Sequence, residues 1–406
     1  MRNNNQAAVM PEAMQAQVEL PTGSLKVSLR RADWPLHELC GFAARHNPKR
    51  GFLFVSKVLG KHWPCKPSTM RAAHVALAAK LAAPGDAPAL FIGLAETATG
   101  LGQGVFEQYL ERFGPGSALY VQTTRYPLSG AEMLPFLERH SHAQNLRLHV
   151  PEREDWAAIF KRARLLVLVD DELSTGDTYL SLIAAYSAQN PALEEIAAVS
   201  LSNFMGEPGQ ARFREQLALL DVAGAPPRRV SFPALVEGQF TFSNNPDFQA
   251  PPPPAAQADM NCRRAYNSGA SARMGIDAFL QVPTSLVAGL VGTLPRDKPV
   301  LVLGSGEFMH PAFVLGTALE DAGLEVRIQS TTRSPVLVGA SIGSRLALPD
   351  LYGEGIPNAL YNFKAEDYGA VLLCHESPDD GDDGSLATSL RLLGARSVGF
   401  NGRISA

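Results

Sequence analysis

The sequence predicts an α/β protein of two domains, each built on a mainly parallel sheet flanked by helices. Three observations lead there. Short aliphatic runs alternate with helix-length segments along most of the chain, the pattern of strand–helix–strand units. Runs such as Leu165–Val169 are apolar at every position, as strands buried on both faces require. A proline run, Pro251–Pro254, interrupts the alternation, which then resumes. At 406 residues the chain also exceeds what one ordinary core supports.

Taken in order, residues 1–22 read as a disordered tail, 23–248 as the first domain, 249–272 as a Pro-rich linker and 273–406 as the second domain. Leu25–Leu29 alternates as a strand. Leu36–Arg45 reads as a short helix, Gly51–Val55 as a buried strand, and Ser68–Leu81 as an alanine-rich helix with Ser68 as its N-cap. Strands follow at Leu90–Gly93, Ala118–Thr123, Leu165–Val169 and Ile196–Leu201, with helices at Gly102–Phe113 and Thr178–Ala188. Beyond the linker, Val300–Leu303, Glu325–Ser330, Ala370–Leu373 and Ser397–Phe400 read as strands.

Hydrophobic residues make up 46% and charged residues 19%, a soluble globular balance. A formal net charge of -4 gives no general attraction to nucleic acid or to an anionic membrane. Cys40, Cys65, Cys262 and Cys374 are far apart, which excludes a disulfide framework or a zinc site and suits a reducing compartment. No basic start followed by an apolar run opens the chain, and no apolar run approaches the roughly 20 residues of a spanning helix. The expected address is the cytoplasm.

The chemistry concentrates after the Leu165–Val169 strand. Two carboxylates, Asp170 and Asp171, stand at its carboxyl end, where open parallel sheets bind ligands. Ser174-Thr175-Gly176-Asp177-Thr178 follows, and then a helix. Such a turn lets backbone N–H groups converge on a phosphate, with the helix dipole behind them. The carboxylates can accept hydrogen bonds from ribose hydroxyls or hold Mg²⁺ through water.

This segment resembles the phosphoribosyl pyrophosphate motif of type I phosphoribosyltransferases: an apolar strand, two acids, variable residues, then Thr-Gly-x-Thr. The resemblance implies that Asp170 and Asp171 face the ribose hydroxyls and that Ser174, Thr175, Gly176 and Thr178 cradle the 5′-phosphate. Asp177 departs from the pattern and has to point away. Phe91–Gly100 sits where the family's pyrophosphate loop follows its first core strand, making Thr97 and Thr99 candidate donors, with Glu96 an unexpected anion. Arg125 stands where the family has a basic residue near pyrophosphate. Tyr126–His149 matches the family's mobile loop, with His142 or His140 as the equivalent of a loop histidine in orotate-type members. Asn47–Lys57 resembles the hood that closes over the base there, and Lys57, Lys61 and His62 become candidates to reach substrate.

The second half repeats the first. Pro84, Asp86, Pro88, Leu90, Gly93 and Glu96 correspond to Pro295, Asp297, Pro299, Leu301, Gly304 and Glu307 at one constant offset. Thr123–Pro127 reads against Thr331–Pro335, and Val167–Glu172 against Val371–Glu376. In the second copy Cys374-His375 replaces the acid pair, and Ser377–Asp383 is too acidic to hold a phosphate. The second domain is therefore expected to be a degenerate copy or a Rossmann-like fold, with Glu307, His310, Arg333 and Ser334 as a separate candidate cleft. Thr332-Arg333-Ser334-Pro335 also resembles the name-giving motif of the TRSP domain, which follows orotate-type phosphoribosyltransferases in tellurium- and stress-resistance gene clusters.

The expected function is Mg²⁺-dependent transfer of a 5-phosphoribosyl group from phosphoribosyl pyrophosphate to a nitrogenous small-molecule acceptor, with release of pyrophosphate. A homodimer is left open. Two rivals stand beside it: a non-catalytic sensor of phosphoribosyl pyrophosphate or a nucleotide, and a two-domain ribose-phosphate diphosphokinase.

Overall fold

The structure, a computed structural model, describes residues 14–45, 47, 50–125, 128, 130–137, 145–221, 227–249, 271–349, 356, 358–375, 390, 394–400 and 404–405. The first domain comprises β1 (Gln15–Leu20), β2 (Gly23–Ala32), α1 (Leu36–Leu39), β3 (Cys40–Ala44), β4 (Phe52–Ser56), α2 (Pro67–Ala78), β5 (Ala89–Gly93), α3 (Thr99–Phe113), β6 (Ala118–Gln122), β7 (Met133–Leu137), β8 (Asn145–His149), α4 (Glu154–Arg162), β9 (Leu165–Leu173), α5 (Asp177–Ser187), β10 (Glu195–Asn203), α6 (Gly206–Ala218), β11 (Arg229–Ser231) and β12 (Ala234–Asn244). Its main sheet runs β1-β2-β12-β10-β9-β5-β6, with β11 beside β10. Pairing is parallel from β12 to β6 and antiparallel through β2 and β1.

The aliphatic runs fill both faces. Along β9, Val167 and Val169 enter the core beneath α2 and α3, while Leu166 and Leu168 pack with Tyr179, Leu182 and Ile183 of α5. All of these are fully buried, and each contributes about 1.5–3 kcal/mol. Both layers together hold the carboxyl end of β9 rigid.

Several expectations change, among them the loop read over Tyr126–His149, within which β7 and β8 pair as antiparallel strands. Gln15–Leu20, read as tail, is an edge strand: Ala16, Val18 and Leu20 alternate inward, a period hidden by the polar residues between them. The helix read over Leu36–Arg45 stops at Leu39, because Cys40–Ala44 pairs with Phe52–Ser56 as an antiparallel hairpin. Ser68 lies inside α2 rather than capping it; its N–H and hydroxyl donate to Glu320 of the second domain. Ala272, assigned to the linker, packs in the first domain's core.

The second domain comprises α7 (Thr284–Val291), β13 (Val300–Gly304), α8 (His310–Asp321), β14 (Val326–Ser330), the hairpin β15 (Arg345–Leu348) and β16 (Asn358–Tyr361), β17 (Ala370–His375), β18 (Ala395–Phe400) and β19 (Ile404–Ser405). Its sheet runs β14-β13-β17-β18-β19, parallel as far as β18. The order β14-β13-β17-β18 is that of β6-β5-β9-β10 in the first domain. Equivalent bonds recur as well: Thr123 N–H donates to Gly93 O and Thr331 N–H to Gly304 O. Ala95 N–H donates to Thr123 Oγ1 at 2.8 Å, and Gly306 N–H to Thr331 Oγ1 at 3.0 Å.

The halves interlock. Cys65 bridges β14 at Ile328, Arg45 bridges Val336, and Ile276 exchanges both backbone bonds with Tyr120 of β6. Among the described residues no helix is long and apolar enough to cross a membrane.

Candidate functional site

A cleft opens at the carboxyl ends of β5 and β9. Its floor is Leu94–Thr97 and Asp170–Leu173, and Ser174–Tyr179 closes one end. Arg45, Arg50 and Leu53 of the β3–β4 hairpin form one wall. Thr332–Pro335 of the second domain form the other, with Arg125 also facing in.

β9 carries the acids because it runs past its aliphatic segment, still paired with β10 through Asp170 and Glu172. Asp170 Oδ1 accepts the N–H of Asp171 at 2.9 Å. Burial, with the Glu172 carboxylate beside it and against a hydrogen bond from Asp170, pushes Asp171 up to about 6. Arg50 engages both oxygens of Glu172, at 2.5 and 2.7 Å. Asp170 and Asp171 both line the cleft.

The turn after β9 is set by Gly176, at φ 77 and ψ 2. A Cβ there would lie 2.5 Å from the Phe213 ring, so glycine is required twice over. The N-cap Gly176 offers no side-chain cap; Thr175 Oγ1 accepts the Asp177 N–H at a long 3.4 Å, and the N–H groups of this first turn are where a helix meets an anion. Asp177 is drawn aside by Arg212 at 3.1 Å, which also donates to Thr175 O at 2.5 Å.

Glu96, unexpected from sequence, is 8% exposed and neutralised. Lys61 Nζ lies 3.1 Å from its Oε1 and Arg333 Nε 3.6 Å from its Oε2. Burial alone would raise Glu96, but Lys61, Arg333 and Arg125 outweigh it and hold the carboxyl at about 2. Lys61, 1% exposed, also donates to Gly306 O at 2.6 Å. His62 is buried and kept neutral at about 3, by burial first and Lys61 second.

Asp170, Asp171, Ser174, Thr175, Gly176, Asp177, Thr178, Thr97 and Arg125 thus share one cleft. Other expected residues lie elsewhere. Lys57 donates to His37 O at 2.8 Å, away from the cleft. Thr99 opens α3 and donates to Glu307 O at 2.9 Å. His140 and His142 lie outside the described residues, as does the acidic Ser377–Asp383 loop. The expected second-domain cleft is not assembled: Arg333 and Ser334 line the first domain's cleft, while Glu307 and His310 are buried between the domains. Glu307 accepts from Thr124 Oγ1 (2.6 Å), Arg125 N (2.9 Å) and Arg273 Nε (3.3 Å), and His310 Nε2 lies 2.8 Å from Glu107. Sequence reading missed Arg45 and the Arg50–Glu172 pair; the basic residues before β4 and the third acid of β9 were the available signal.

Among the described residues, no group of three or more His, Cys, Asp or Glu side chains is arranged to hold a metal ion. A magnesium ion bound through one or two carboxylates, completed by water and substrate oxygens, fits such a donor set.

Residues 39–239 match the family model described as phosphoribosyl transferase, and residues 271–390 match that of the TRSP domain found C-terminal to it. No curated protein sequence matches the chain. Among solved structures, similar ones include adenine phosphoribosyltransferase from Rhodothermus marinus, at 16% identity over 49% of this chain and 97% of that one, TM-score 0.31. The Leishmania donovani enzyme of the same name shows 15% identity over 50% and 80%, TM-score 0.35. Orotate phosphoribosyltransferase from Mycobacterium tuberculosis shows 13% over 49% and 92%, TM-score 0.24.

Proposed function

The chain belongs, over residues 39–239, to the phosphoribosyl transferase family and, over 271–390, to the TRSP domain that follows it, and we propose that it transfers the 5-phosphoribosyl group of phosphoribosyl pyrophosphate to a nitrogenous acceptor, releasing pyrophosphate. One observation carries this: the acid pair, the first turn of α5 and Arg125 face a single cleft. The 5′-phosphate sits on Ser174–Thr178, where N–H groups and the helix dipole converge. Asp170 and Asp171 accept hydrogen bonds from the ribose hydroxyls.

The transition state is oxocarbenium-like at C1, so no enzyme nucleophile is needed. The chain's residues act by charge placement and by keeping water out. Asp170 and Asp171 are the residues that would hold a magnesium ion, through water, and it would supply charge neutralisation at the leaving group. The buried pairing of Glu96 with Lys61 and Arg333 removes the repulsion that favoured a mere sensor. The second domain is read as a diverged copy of the first; the shared strand order and recurring hydrogen bonds support it.

The test is pyrophosphate release from phosphoribosyl pyrophosphate and Mg²⁺ with a panel of nitrogenous bases. Release that requires one base is the expected result. Tight donor binding with no release under any base would favour the sensor, and release that requires ATP the diphosphokinase.

A further inference from the structure

Four consecutive residues of the cleft wall, Thr332–Pro335, belong to the second domain. Their turn is held firmly. Thr332 N–H donates to Ala359 O at 2.9 Å, Ser334 N–H to Thr332 Oγ1 at 3.2 Å, and Tyr361 hydroxyl to Ser334 O at 2.6 Å. Arg333 points from this turn to Glu96 on the opposite domain.

The contact is one half of an exchange. Glu96 of the first copy takes Arg333 of the second, and Glu307 of the second copy takes Thr124 and the Arg125 N–H of the first. The two sides then diverge. On the Glu307 side, Arg273 fills the space with a side chain that is 0% exposed. On the Glu96 side lies the open cleft, with Arg125 and Arg333 both on its lining. Lys61, Arg125 and Arg333 gather there around the carboxylate of Glu96. The other end of the cleft carries the phosphate turn, with Asp170 and Asp171 between.

We propose that the second domain is part of the active site: Arg333 is a substrate-binding residue for the diphosphate end of the phosphoribosyl donor, with Glu96 and Lys61 as the residues that position it. This rests on the reading above. A donor laid with its 5′-phosphate on Ser174–Thr178 and its ribose at the acid pair directs its diphosphate to the side of the cleft that Arg125 and Arg333 line. Arginine suits that role because its guanidinium can bond the carboxylate and a phosphoryl oxygen together. The TRSP turn is thereby a device for delivering a cation from one domain to the other's substrate.

The experiment is calorimetry on the full chain with two probes, magnesium pyrophosphate and ribose 5-phosphate, in wild type, Arg333→Lys, Arg333→Gln and the double variant Arg333→Gln with Glu96→Gln. Arg333→Gln should weaken pyrophosphate roughly 10- to 100-fold, as loss of a charge-assisted bond does, and change ribose 5-phosphate less than about threefold. Arg333→Lys should fall between. The double variant removes the carboxylate along with Arg333 but leaves the buried Lys61 without it, so its fold is checked by thermal unfolding before titration, and Arg333→Lys supplies the comparison that keeps the pair. Continued weak pyrophosphate binding there supports the proposal; recovery of wild-type affinity would show that Arg333 only neutralises Glu96, and overturns it. Unchanged pyrophosphate affinity in a folded Arg333→Gln protein overturns this inference alone. A wild-type protein that binds neither probe overturns the phosphoribosyl reading and this inference with it.

Discussion

Replacing Asp171 with Asn should make the protein more stable and less able to hold its donor. The ordinary value for this carboxyl is 3.8, and burial pushes it to about 6 in the folded chain. The folded state therefore holds its proton over a range where the unfolded chain has lost it. The ionised carboxylate destabilises the fold by an amount that grows between about pH 4 and 6 and is level above. A carboxyl raised from 3.8 to about 6 costs the fold about 3 kcal/mol as an upper bound. Relaxation around the half-buried group and the lost interaction with Asp170 bring the expected gain for Asp171→Asn nearer 1–2 kcal/mol at pH 8, to order of magnitude (about). In a domain of this size that is a rise of roughly 2–8 °C in Tm. Thermal unfolding at pH 4.5, 6 and 8 reads it, with donor calorimetry on the same samples. A gain independent of pH, or a loss at pH 8, would refute the reasoning, because either would mean that Asp171 is not a carboxylate held at a cost for function.

Thr175→Asp should lower ribose 5-phosphate affinity at least about tenfold, since it places a charge where the α5 N–H groups converge; unchanged calorimetry would remove the turn from the site. Gly176→Ala should cost about 1–3 kcal/mol in denaturant unfolding, from its positive φ and the approach to Phe213; a neutral result would contradict the turn geometry. Glu307→Gln should cost roughly 1–3 kcal/mol by the same measurement, because it takes the charge out of the buried bonds from Thr124, Arg125 and Arg273. A change below about 1 kcal/mol there would show that the two domains do not depend on this exchange.

What could be read from the sequence was whatever is local. The β9 strand, its acids and the glycine turn lie within fourteen residues, Leu165–Thr178, so hydrophobic run, charge and turn chemistry announce them in order. β5, β6, β13 and β17 were legible for the same reason. Elements defined by their partners were not. Cys40–Ala44 carries no strand pattern of its own and is a strand because Phe52–Ser56 pairs with it. Tyr126–His149 reads as a loop, yet Leu134, Phe136, Leu146 and Leu148 put a buried face on the antiparallel pair β7 and β8 within it; residues 126, 127, 129 and 138–144 lie outside the described residues.

The sequence by itself determined which residues could hold a phosphate and a ribose, because those groups need adjacent backbone N–H donors and a strand-end acid pair. Only the tertiary structure decided what stands opposite them. Glu96 lies 237 positions from Arg333 in the chain, and its meaning changes from an obstacle to an anchor once that arginine arrives. No local pattern encodes such a meeting: it depends on how two sheets dock, and docking is set by interlocked surfaces such as Cys65 on Ile328 and α3 against α8 rather than by any single stretch of chain.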